Sequence, residues 1–271
     1  MGCCRSDHQV LYNRAEMNQA GIFRRITTSI MTIVILILAT YSLFVYLPTY
    51  GQNQSEGQQL QQTEEKPLPV LLVHGYVEDA AVWKKWEDML RKDGIQFFTV
   101  TFKDSDDKCG SAKQHAIELE KMVQNVKEEA GSQKINMVGY SKGGLDARIF
   151  LDITDTKDIA NLIMIGTPNA GSIVAETNNV CSPAVFDLRP GANATKAVIN
   201  PNTKYYTIAG DWMPLTQGNL MIPGNDDGLV SVESVESQQY FQSLGRTKHG
   251  HAELLSEEEY QMSRDILLGE S

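Results

Sequence analysis

Gly139-Tyr140-Ser141-Lys142-Gly143 is the stretch of this chain whose residue types and spacing point most directly to chemistry. A serine in the pattern G-x-S-x-G suits a sharp strand-to-helix turn, which stands the hydroxyl clear of the backbone for attack on a carbonyl. The pentapeptide alone is a weak signal, and its flanks strengthen it. Ile135 to Val138 is an apolar run fit for a strand, and an apolar helical stretch follows the motif. A serine hydroxyl becomes a useful nucleophile only beside an imidazole that takes its proton, and that imidazole needs a carboxylate to orient it. The reaction also needs backbone N–H groups aimed at the developing oxyanion, each contributing about 3 kcal/mol.

In sheets that carry this motif the acid and then the base follow the serine along the chain. Only His249 and His251 lie downstream of Ser141. His251 leads through Ala252-Glu253-Leu254-Leu255 into the last helix and is preferred. His249 sits in a loop of Lys and Gly and remains the alternative. For the acid, Gly224-Asn225-Asp226-Asp227-Gly228-Leu229-Val230 is rich in turn residues. Asp227 directly precedes Gly-Leu-Val and is preferred over Asp226. Asp187 and Asp211 are further candidates, read as surface or capping residues. The expected oxyanion donors are the backbone N–H groups of Lys142, which follows the nucleophile, and Tyr76, in the loop His74-Gly75-Tyr76. His74 lies upstream of the serine, so its expected role is structural.

The elements that must position these residues alternate between strand and helix. Leu68 to Val73 is an apolar run suited to a strand covered on both faces. Val82 to Lys92 reads as a short amphipathic helix and Phe97 to Phe102 as a strand. Ala112, Ala116, Leu119, Val123, Val126 and Ala130 form one helical stripe, with Ser111 to cap its start and Gly131 its end. A helix over Gly144 to Asp152 and strands at Ile159 to Ile165 and Tyr205 to Ala209 follow, and Glu257 to Leu268 closes the chain as a helix. This alternation predicts an α/β fold with a mainly parallel central sheet and helices on both faces. Each candidate site residue falls just beyond an expected strand, where ligand sites lie in such sheets.

The N-terminal segment has another character. Ile26 to Leu47 contains no charge, Gly or Pro, and as a helix would span roughly 30 Å, the thickness of a bilayer core. Arg24 and Arg25 stand at its N-terminal edge, and no basic residue follows before Lys66. The expected organisation is a cytoplasmic tail over 1–25, a transmembrane signal anchor over 26–47, a Gln-rich flexible linker over 48–66 and one folded domain over 67–271. The folded domain is then extracytoplasmic, or secreted if the N-terminal segment is cleaved. With a formal net charge of −10 and a pI near 5.0, the chain repels phosphate backbones, which argues against nucleic acid as a partner. The four cysteines include no C-x-x-C pair, so zinc or thioredoxin-like chemistry has little support. A bond between Cys109 and Cys181 depends on the compartment and is left open.

Several segments together resemble the small bacterial class 2 triacylglycerol lipases of the α/β-hydrolase superfamily. They are Val73-His74-Gly75-Tyr76, Gly139 to Arg148, Gly166-Thr167-Pro168-Asn169-Ala170-Gly171-Ser172, Asp227-Gly228-Leu229-Val230 and His251 to Leu255. They run in family order and cover most of 67–271. The resemblance implies an α/β-hydrolase fold and hydrolysis of lipid or other acyl esters through a Ser141–His251–Asp227 triad, with no cofactor. Larger members hold a structural calcium, for which this chain shows no clear ligand set, so no metal is expected. Tyr140 and Lys142 depart from the family pattern, which often has His and Gln or Met there. The long stretch from Ala170 to Lys204 is either a cap over the acyl pocket or a surface excursion. A thioesterase or acyltransferase using the same triad, and a catalytically silent binding module on the same fold, are the alternatives.

Overall fold

The computed structural model describes residues 66–212 and 221–270. The expected tail, the anchor over 26–47 and nearly all of the linker lie outside the described residues. Among the described residues, no helix is long and apolar enough to cross a membrane.

Six strands form one parallel sheet: β1 (Val70–Val73), β2 (Phe97–Thr99), β3 (Ile135–Tyr140), β4 (Ile159–Ile165), β5 (Lys204–Gly210) and β6 (Gln242–Thr247). Their order is β2-β1-β3-β4-β5-β6. The helices are α1 (Lys84–Lys92), α2 (Ala112–Ala130), α3 (Lys142–Thr154), α4 (Ser182–Asp187), α5 (Val232–Val235) and α6 (Glu257–Leu268). Strand alternation divides the core between the two faces of the sheet. On one face Leu71, Val73 and Met137 pack with Leu119 and Val123 of α2 and with Phe150 of α3. On the other, Val70, Leu72 and Val138 pack with Trp86 and Leu90 of α1 and with Tyr260 and Leu267 of α6. Helix α2 starts on the expected Ser111 capping box and ends on Gly131 in the left-handed conformation.

Two strands differ from the sequence reading, α3 starts at Lys142 and not Gly144, and the short helices α4 and α5 were not expected. Strand β2 stops at Thr99, because the backbone N–H of Phe102 turns away to the Asp107 carboxylate. Strand β6 was not expected, since its only large apolar residue is Leu244. It lies on the edge beside β5, where one neighbouring strand supplies its pairing and little apolar alternation is needed.

Candidate active site

Ser141 links β3 to α3 with φ 52° and ψ −123°, a backbone region that side chains avoid. Close packing imposes that turn. A Cβ at Gly143 would strike the Val73 carbonyl, and one at Gly139 would strike the backbone of Gly144. The helix therefore begins almost against β1 and β3, and the serine is thrust above the carboxyl edge of the sheet.

His251 arrives from the loop after β6. Its Nε2 lies 2.8 Å from Ser141 Oγ, and its Nδ1 lies 2.7 Å from Asp227 Oδ2. Asp227 is itself held: its Oδ1 accepts from the N–H groups of Leu229 and Val230 at 2.9 and 2.7 Å. The structure thus brings Ser141, His251 and Asp227 together. It does not bring in the alternatives. The Nδ1 of His249 faces Glu259 Oε1 at 2.7 Å, and Asp226 accepts from Gly228 N–H at 2.7 Å. Asp187 caps α2 by accepting from Ala112 N–H at 2.6 Å, and Asp211 pairs with Lys248 at 2.9 Å.

The N–H groups of Tyr76 and Lys142 make no hydrogen bond to protein among the described residues. Both are free to receive an oxyanion. Their loop is braced from two sides. Gly75 N–H donates to Glu78 Oε2 at 3.2 Å, and burial raises the Glu78 carboxyl above its usual range despite that bond. His74 is buried, with its Nε2 3.1 Å from Asp107 Oδ1, in the structural role expected of it.

Ser141 and His251 open onto a cavity of about 100 Å³. Its apolar walls include Val174, Ala175, Val185 and Leu188, all from the long stretch after Gly171, with Leu229 and Val230 opposite. That stretch is therefore a cap. Cys109 and Cys181 are joined in a disulfide, with 4.7 Å between their Cα atoms, and tie the cap to the loop before α2.

A family model for palmitoyl protein thioesterase matches residues 69–222, more than half of the chain. The chain belongs to the palmitoyl protein thioesterase family. The match spans the Tyr76 loop, Ser141 and the cap, and stops short of Asp227 and His251. Solved structures agree on the α/β-hydrolase fold. The mature lipase BlEst2 of Bacillus licheniformis is 22% identical, covers 75% of this chain and 93% of its own, and superposes with a TM-score of 0.63. The lin2722 product of Listeria innocua is 15% identical over 76% and 95%, with a TM-score of 0.52. A structure reported with carboxylesterases of Nitrososphaera gargenis is 13% identical over 75% and 89%, with a TM-score of 0.50.

In this member of the palmitoyl protein thioesterase family, the sequence reading missed what lies beneath the serine. The Lys142 side chain turns inward, and its Nζ reaches Asp146 Oδ1 at 2.6 Å. Asp146 Oδ2 is 2.8 Å from His115 Nδ1, and all three side chains are within 2% of complete burial. Burial would raise the Asp146 carboxyl, but the Lys142 charge and the His115 hydrogen bond outweigh it and hold the group below the usual carboxylate range. Lys142 and Asp146 become a helical pair four residues apart only because α3 starts at Lys142, before the expected start at Gly144. Arg148, farther along α3, is buried with no carboxylate partner among the described residues. It donates to the carbonyls of Asn169 and Ala197 at 3.2 and 3.1 Å, and burial pushes its pKa down to about 10. Among the described residues, no cluster of three or more His, Cys, Asp or Glu is arranged to hold a metal ion.

Proposed function

We propose that the chain is a serine hydrolase of acyl esters, with Ser141 as nucleophile, His251 as general base and Asp227 as its orienting carboxylate. The observation that supports this reading is one hydrogen-bonded path, Ser141 Oγ to His251 Nε2 at 2.8 Å and His251 Nδ1 to Asp227 Oδ2 at 2.7 Å. In the proposed reaction His251 Nε2 takes the Ser141 proton as Oγ attacks the acyl carbon. The N–H groups of Tyr76 and Lys142 receive the oxyanion. The bond to the leaving oxygen breaks, that oxygen takes the proton from His251, and the acyl group stays on Ser141. Water, activated by the same nitrogen, then releases the acid.

The family match favours a second reading, in which the substrate is an acyl thioester. The steps are the same, and the leaving thiolate is less basic than an alkoxide, so it depends less on the proton from His251. Matched oxygen esters and thioesters of one acyl chain, assayed with wild type, Ser141→Ala and Asp227→Asn, test both. Activity lost in Ser141→Ala and reduced about 10⁴-fold in Asp227→Asn is expected. Full activity in Ser141→Ala removes the nucleophile assignment. A preference above tenfold for thioesters selects the second reading.

We further propose that residues 26–47 anchor the chain and that the hydrolase domain is extracytoplasmic. The Cys109–Cys181 disulfide supports this, because such bonds persist in oxidising compartments. External protease should release the domain from intact cells, and protection until lysis would refute this topology.

A further inference from the structure

His249, the histidine not bonded to Ser141, sits in a built site of its own. Its partner Glu259, in the first turn of α6, is fully buried. The Oε1 atom of Glu259 accepts from Thr247 Oγ1 at 2.6 Å and faces His249 Nδ1 at 2.7 Å. Its Oε2 accepts from Ser256 N–H at 3.1 Å and from Ser256 Oγ at 2.5 Å. Thr247 ends β6 and Ser256 caps α6, so one carboxylate holds both ends of the loop that carries His251, and His249 holds it from inside the loop. We propose that Glu259 and His249 are positioning residues for His251, and that turnover is fastest with His249 charged and His251 neutral. This rests on the assignment of His251 as the general base.

Donors on both oxygens suit an ionised carboxylate, which has acceptors only. A buried carboxylate is costly without a counter-charge, and His249 is the only ion-pair partner of Glu259 among the described residues. A charged imidazole therefore closes the clamp, and a neutral one keeps the bond but loses the charge. The surroundings favour the charged ring. The hydrogen bond to Glu259 outweighs burial and raises His249 above its ordinary value, and the nearby Glu258 and Glu253 carboxylates act in the same direction. Glu258 Oε2 is 3.8 Å from His249 Nε2. The adjacent cation, Lys248, is engaged by Asp211 at 2.9 Å.

The clamp meets Ser141, His251 and Asp227 by direct packing. A Cβ at Gly210, the end of β5, would lie 2.6 Å from Asp227 Cβ and 2.7 Å from the His249 carbonyl. The same strand end thus packs tightly against both. His251 is tied to this frame at its backbone: its N–H donates to the Asp227 carbonyl at 2.8 Å, and its carbonyl accepts from the Tyr140 hydroxyl at 2.7 Å. Only Gly250 separates His249 from His251, so a loosened His249 shifts the entry to the base. The distance that suffers is the 2.8 Å between His251 Nε2 and Ser141 Oγ.

The test is the pH profile of kcat for p-nitrophenyl octanoate, measured on the full chain from about pH 5.5 to about pH 9. The variants are His249→Asn, His249→Lys, Glu259→Gln and His251→Ala. Wild-type kcat should fall about fivefold on the alkaline side as His249 loses its proton. His249→Asn keeps a donor at the place of Nδ1 but carries no charge, so it should show the lowered kcat throughout and no alkaline fall. His249→Lys, charged across this range, should keep the higher kcat to the alkaline end. Glu259→Gln should resemble His249→Asn, and if it fails to fold, the two His249 variants decide. KM should change by no more than about twofold, because neither residue lines the cavity beside Ser141. A clamp that is merely structural would change the melting temperature and leave the kcat profile alone. Equal profiles in wild type and His249→Asn, or an alkaline fall that persists in His249→Asn, overturn the clamp and leave the base assignment standing if His251→Ala is inactive. Full activity in His251→Ala overturns both.

Discussion

The inward turn of Lys142 puts a charged pair directly under Ser141, and its removal has a calculable effect. Lys142 Nζ and Asp146 Oδ1 are 2.6 Å apart, and both side chains are 1% exposed. Breaking a buried pair by removing one partner costs about 3–5 kcal/mol, because the remaining charge is left in a low-dielectric interior. Asp146→Asn keeps the shape and a hydrogen bond to His115 but leaves the Lys142 ammonium without a counter-charge. Its expected cost is therefore about 3–5 kcal/mol. Lys142→Met/Asp146→Asn removes both charges, keeps the volume nearly constant and leaves the amide beside His115. The double variant should lose only about 1–2 kcal/mol, so it should be more stable than Asp146→Asn alone. Urea unfolding at neutral pH, with m-values compared across the set, measures this. Asp146 adds a second readout. Its carboxyl is held below the ordinary value, so its stabilisation is present above about pH 4 and is lost as pH falls through the lowered pKa. Asp146→Asn should therefore flatten part of the acid limb of the stability curve. The reasoning fails if Asp146→Asn costs under about 1 kcal/mol, or if Lys142→Met adds its full cost on top of it.

Cys109→Ser/Cys181→Ser opens a loop closed over 72 residues, for which chain entropy gives about 4 kcal/mol of lost stability; a urea midpoint unchanged from wild type would contradict it. Glu78→Ala frees Gly75 N–H and loosens the loop that carries the Tyr76 donor, so kcat should fall about tenfold. Glu78→Gln, which still accepts a hydrogen bond, should recover most of that loss, and equal kcat in Glu78→Ala and wild type would dismiss the role. The hydrogen bond to Glu259 raises the His249 pKa above its usual value, against the opposing effect of burial. The stabilisation from His249 is therefore full below about pH 6.5 and lost as pH rises through the raised value. The Tm difference between wild type and His249→Asn should be largest near pH 5.5 and smallest near pH 9, and the reverse trend would refute the pairing.

What could be read in advance and what could not divides along physical lines. The core strands and α2 announce themselves because burial on both faces leaves continuous apolar runs, and an amphipathic helix leaves a stripe. The serine, histidine and aspartate could be named because the motif constrains their chain order, which leaves two candidates for the base and few for the acid. The choice between His251 and His249 needed three-dimensional distances, because a register change of two residues in a loop carries no periodic signal. Strand β6 was missed for the opposite reason: an edge strand with one neighbour and mostly polar residues looks like loop. The cap walls escaped because Val174, Ala175, Val185 and Leu188 lie in helical pieces of four to six residues and their ends, too short to show a periodic stripe. They converge only once the disulfide and the Arg189 bonds fold the segment back over Ser141. Lys142 is the most instructive case. Beside Ser141, a lysine invites a functional reading of its charge, yet here the ammonium points away from the cavity that Ser141 lines and into the core. Its contribution to the site is two-fold: a backbone N–H aimed outward, and a buried anchor to Asp146 that holds the first turn of α3, and so that N–H, in position.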